Sequence, residues 1–130
     1  MITTELTYLT LVTGLTALMW IPYILNLIIV RGLIDAVSYP ANPKPLALWA
    51  ERMKKAHANA IENLVVFGLL VIAAHVADVN NEITALACVI YFWARVVHLI
   101  TYTLGIPWVR TFAFAVAFLS QISLAWQILM

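Results

Sequence analysis

Two runs of polar side chains recur at helical spacing in an otherwise apolar chain. Arg52, Lys55, Asn59 and Glu62 stand three, four and three residues apart; Tyr91, Arg95, His98 and Tyr102 stand four, three and four apart. At about 3.6 residues per turn each run forms one stripe along a helix. Arg110 follows soon after Tyr102, so four cations (Arg52, Lys55, Arg95, Arg110) accompany a single carboxylate, Glu62. On antiparallel neighbouring helices the deepest members, Glu62 and Arg95, are expected to pair, with Asn59 near His98 and Lys55 near Tyr102. The positive charge left over suits an anionic ligand, to which arginine offers a fork of donors. The same groups would also serve simply to lock two helices together. Spacing alone leaves both readings open, and a basic surplus near an interface also fits contact with anionic membrane lipid.

Elements able to hold these stripes follow from the composition. Of 130 residues, 65% are hydrophobic and 10% charged, against roughly 25% charged in soluble proteins. Mean hydropathy is +0.98. A soluble domain is excluded. The net charge of +1 leaves no electrostatic footprint for nucleic acid, and one cysteine, Cys88, cannot form an internal disulfide. The chain reads as a single all-α membrane domain, a four-helix bundle with spans at about 6–31, 46–76, 83–104 and 108–130. Residues 6–30 contain no charge, and crossing a bilayer takes about 20 apolar residues. A signal peptide is not expected, because the residues before this span carry Glu5 and no Lys or Arg. Pro22 predicts a kink. The Asn42-Pro43-Lys44-Pro45 run breaks the chain, with Pro45 suited to a first helical turn. Asn81 is the expected N-cap of the third span. Short connections make successive helices antiparallel.

Arg31, Lys44, Arg52, Lys54 and Lys55 surround the first loop and Arg110 adjoins the third, while the second loop has no Lys or Arg. The positive-inside rule then places loops one and three in the cytosol and both termini opposite. Cys88 is expected to pack. His57 leaves the stripe and is expected at the surface or between subunits. His57, His75 and His98 fall at different depths, so no metal site is expected. A four-span transporter would want an ionisable group deep in the first span, and none is there.

The run ERMKKAHANAIEN at residues 51–63, with a basic residue, Asn four places on and Glu three further, resembles the second-helix signature of the MAPEG family, the membrane-associated proteins of eicosanoid and glutathione metabolism. The run ARVVHLITY at residues 94–102, followed by GIPWVR at 105–110, resembles its third-helix and loop signature. Within the family the chain looks closest to the prostaglandin E synthase and microsomal glutathione transferase branch. The resemblance implies a homotrimer with glutathione bound between subunits near the cytosolic side, and a lipophilic substrate arriving from the bilayer. By position it implies glutathione contacts from Arg52, Lys55, Asn59, Glu62, Arg95, His98, Tyr102 and Arg110, with Arg31 lent by the neighbouring subunit. Arg110 would activate the thiol, with Tyr102 or Thr111 as a secondary donor to sulfur. Lys55 stands where arginine is usual, and Phe114 where some relatives have tyrosine. The family also includes a non-catalytic lipid-binding member, so a scaffold on the same fold is the alternative to an enzyme.

Overall fold

A bilayer core offers no partner for a bare backbone N–H or C=O, so an apolar chain of this kind satisfies its backbone within helices. The computed structural model describes residues 1–130 and contains α1 (Thr4–Leu18), α2 (Trp20–Arg31), α3 (Leu33–Val37), α4 (Leu48–Val76), α5 (Glu82–Leu104) and α6 (Pro107–Leu129), with no strand. Four stretches are long and apolar enough to cross a membrane: Thr4–Arg31, which joins α1 to α2, and α4, α5 and α6. The result is an all-α four-helix membrane bundle. Large side chains such as Leu69, Trp93, Phe112 and Leu119 point outward. A bilayer covers such a surface without cost.

The first span bends at Met19. Pro22 has no N–H to offer the carbonyl of Leu18, and Met19 N turns back to Thr16 O at 3.3 Å. The kink expected of Pro22 therefore falls just before it. Beyond the bend α2 packs on α3 and α4, whereas α1 packs on α4 and α5. The short α3 was not anticipated. Pro45 does not open a helix: α4 starts at Leu48, and the N–H groups leading in are taken by side chains. Leu46 N donates to Glu51 Oε1 at 3.3 Å and Ala47 N to Asn26 Oδ1 at 3.0 Å. Such partners replace a capping side chain, which Ala47 lacks.

The α5–α6 hairpin is the most closely packed pair. Asn81 caps α5, its Oδ1 accepting from Ile83 N at 2.9 Å and Thr84 N at 3.0 Å, while Thr84 Oγ1 accepts from Asn81 N at 2.8 Å. Gly105 ends α5 in the left-handed region at φ 77°, and Pro107 opens α6. Small side chains along the seam, Ala87 and Ala94 against Ala113 and Ala117, let the backbones approach. The main core gathers Val12, Phe67, Val71, Cys88, Tyr91 and Leu124. Phe67 stacks on Tyr91 with ring centroids 3.7 Å apart.

Candidate functional site

The two stripes meet opposite fates. On α5, Tyr91, Arg95 and His98 are buried, at 1%, 4% and 3% exposure, and Tyr102 is half-buried. This stripe faces the bundle. On α4 the core face belongs instead to Ala50, Met53, Ala56 and Ala60. Arg52, Lys55 and Asn59 each precede one of those residues by one position, about 100° around the helix. They flank the core. Arg52 and Asn59 are half-buried, while Lys55 and Glu62 are exposed.

This rotation corrects the expected pairings. Arg95 does not pair with Glu62; its Nη2 donates to Asn59 Oδ1 at 2.8 Å. Asn59 therefore meets Arg95 rather than His98, and Glu62, three residues further on, swings past the interface. The seam continues beyond that pair. Asn63 Nδ2 donates to Asn59 O at 2.9 Å and to Asn59 Oδ1 at 3.3 Å, and Gln121 Nε2 on α6 donates to Asn63 O at 3.3 Å. Asn63 and Gln121 had not been singled out. An amide amid apolar residues was the available signal, since Gln121 is 5% exposed and a buried amide requires partners.

At the mouth of the bundle lies a cleft of about 170 Å³ lined by His98, Arg110, Thr111 and Phe114. The Arg110 guanidinium stands 4.5 Å from the centre of the Tyr102 ring, a cation–π contact. The rings of His98 and Tyr102 lie 5.4 Å apart, and those of His98 and Phe114 lie 6.4 Å apart. Tyr102 thus sits beside Arg110, and it also packs on the cluster that includes Met53 and Ala56, the turn of α4 that carries Lys55. Thr111 Oγ1 donates to Pro107 O at 3.1 Å. Its lone pairs stay open while its proton is engaged. The cleft thus combines a fixed cation with aromatic walls.

Other members of the expected set sit elsewhere within one chain. Arg52 Nε donates to Thr103 O at 3.1 Å, and its guanidinium crosses Gly105, where an added Cβ would stand 3.1 Å from Cζ. Arg52 latches α4 to the α5–α6 turn. Arg31 Nε donates to Lys44 O at 2.7 Å and closes the first loop. His57, expected at the surface or between subunits, is half-buried and bonds through Nδ1 to Tyr23 OH at 2.7 Å. Glu5, treated as a leader residue, is 4% exposed and accepts from Thr84 Oγ1. Its carboxylate meets the first turn of α5, where a helix favours negative charge. No three of the His, Cys, Asp and Glu side chains are placed to hold a metal ion.

Four apolar spans, a buried cationic seam and an arginine–tyrosine mouth define an integral, multi-pass membrane protein whose polar groups are concentrated between α4, α5 and α6. The MAPEG family profile matches residues 9–130, nearly the whole chain, and the chain belongs to that family. Membership fits the family's membrane glutathione-dependent transferase and isomerase roles. A comparison with curated proteins finds no match.

Proposed function

We propose that the chain is a glutathione-dependent transferase, peroxidase or isomerase acting on lipophilic electrophiles. Glutathione lies between adjacent subunits of a homotrimer, near the cytosolic face. The observation that carries this reading is the exposure of Lys55 and Glu62 on the flank of a membrane-crossing helix. Glu62 falls at the midpoint of α4, and a charge at bilayer depth costs at least ~2.5–3.5 kcal/mol unless something covers it. A neighbouring subunit and a zwitterionic tripeptide would cover both. Lys55 would meet a carboxylate, Glu62 the ammonium, and Asn59 the peptide. His98, Tyr102 and Arg110 would close the mouth, with Arg31 of the neighbouring subunit reaching in from its first loop. Arg95 and Arg52 would act from behind, by fixing Asn59 and the α5–α6 turn.

The chemistry follows from the charge. A free thiol has a pKa of about 8.5, and a nearby guanidinium favours the thiolate, which is the nucleophile. Arg110 stays charged throughout. The thiol proton leaves to solvent and the thiolate forms a C–S bond with the electrophilic carbon as that carbon's bond to its leaving group or epoxide oxygen breaks. The departing atom takes the electron pair and a proton from solvent, and the Tyr102 hydroxyl steadies the sulfur. Calorimetric titration of the detergent-solubilised protein with glutathione tests this. Saturable binding that weakens about tenfold in Glu62→Gln, one charge-assisted hydrogen bond's worth, is expected. Absence of binding, or a monomer by native mass measurement, overturns it.

A second reading, a non-catalytic lipid-binding protein, draws on an apolar cleft of about 430 Å³ between α5 and α6, lined by Trp93, Val97 and Phe112 among others. Glutathione-dependent turnover of a lipophilic electrophile decides against it; binding without turnover favours it.

A further inference from the structure

His98 lines two cavities at once. One is the open cleft beside Arg110; the other is an enclosed cavity of about 10 Å³ between α1, α4 and α5, bounded by Thr16, Tyr91 and Arg95 together with apolar side chains. One water requires roughly 10–15 Å³ and at least two polar partners. The second cavity meets both conditions. Arg95 Nη1 and His98 Nδ1 are sealed in the protein and have no hydrogen-bond partner there, and their residues are 96% and 97% buried, the complements of 4% and 3% exposure. Thr16 Oγ1 donates to Val12 O at 2.7 Å, which leaves its lone pairs free to accept.

We propose that a single internal water occupies this cavity, accepting from Arg95 Nη1 and donating to His98 Nδ1 and Thr16 Oγ1. It thereby fixes His98 as the tautomer that carries its proton on Nε2. A guanidinium only donates, so the water accepts from Arg95 Nη1. If Nδ1 also donated, Thr16 Oγ1 would be the one acceptor left among these partners and a water hydrogen would be stranded; with Nδ1 accepting, both water hydrogens are used. Nδ1 becomes an acceptor. The ring proton resides on Nε2, which is not sealed. His98 then offers the cleft an N–H donor rather than a base, suited to an anionic group such as a carboxylate or thiolate held beside Arg110. That last step rests on the glutathione reading; the water and the tautomer do not. Thr16, on α1, is thus a positioning residue for a cleft it does not touch.

The experiment is nitrogen-15 NMR of histidine-labelled protein in micelles without glutathione, with the His98 signals identified by their loss in His98→Gln. The expected result is a pyridine-type Nδ1, a pyrrole-type Nε2–H and a water cross-peak to the His98 ring. Thr16→Val should shift the Nδ1 signal and Thr16→Ser should restore it. A proton on Nδ1, a doubly protonated ring, absence of the water cross-peak, or an Nδ1 signal indifferent to Thr16→Val overturns the proposal. All readouts come from the ligand-free protein, so they stand or fall apart from the transferase reading. Should Thr16→Val fail to fold, the wild-type tautomer and cross-peak alone decide.

Discussion

The polar stripe of α5 and that of α4 have the same three-and-four spacing and similar residue types, yet one is core and the other is flank. Arg95 and His98 are nearly sealed, whereas Lys55 and Glu62 are open. The cause is the residue next to each stripe. On α4 a row of Ala50, Met53, Ala56 and Ala60 offers smaller, apolar contact surface and takes the interior. On α5 the polar stripe itself runs beside Ala94 and Thr101 and turns inward with them. A charged stripe beside a small apolar row is available to partners outside the chain. One that shares its face with that row is tied up by its own bundle.

The sharpest test of this contrast lies at the mouth, where the inward stripe meets the cleft. Arg110→Ala should cut glutathione-dependent turnover by about 100-fold or more, the usual loss for a preorganised charge that acts on developing anion. The half-saturating glutathione concentration should move much less. Steady-state kinetics and the ultraviolet absorbance of bound thiolate measure both. Near-normal turnover and absorbance would pass the role to Tyr102.

Next in size is a stability difference between the two stripes. Arg95→Ala removes a charge-assisted bond and leaves Asn59 Oδ1 only the longer bond from Asn63, so unfolding in detergent should become easier by about 2 kcal/mol. Glu62→Ala, on the open flank, should not destabilise the glutathione-free protein and should if anything stabilise it, because an unpaired charge at bilayer depth is a cost. A double-mutant cycle sharpens the point: Asn59→Ala and Arg95→Ala should couple by about 1 kcal/mol, and Glu62→Ala and Arg95→Ala should add. Coupling of the second pair would restore the ion pair expected from depth alone.

Smaller effects belong to the turn that carries the mouth. Gly105 is left-handed, and a Cβ there would meet Arg52. Gly105→Ala should cost about 1–2 kcal/mol for the left-handed conformation, and rather less in an Arg52→Ala background, where the contact is gone. Equal penalties in both backgrounds would show that Arg52 does not press on the turn. At the other end of α5, Asn81→Ala should cost about 1 kcal/mol, the usual worth of a helix cap, read as a lowered Tm. Asn81→Asp should recover most of it.

Hydropathy and spacing were enough to establish that the chain is helical, crosses a membrane and carries two polar stripes, because these depend on composition and on the helical period. Asn81 as a cap was legible for a similar reason: a local demand met by a local residue type. Local chemistry misled where a distant group supplied the partner. Pro45 looked like a helix start, but Asn26 and Glu51 hold the incoming N–H groups and delay α4 to Leu48. His57, by its position off the stripe, belongs at the surface or between subunits, yet within one chain Tyr23 is brought beside it. The pairing of Arg95 with Asn59 rather than Glu62 depends on how far α4 is rotated about its axis. A periodic pattern records that a stripe exists; its direction is set by which neighbouring face packs more closely, and that is a property of the assembled helices.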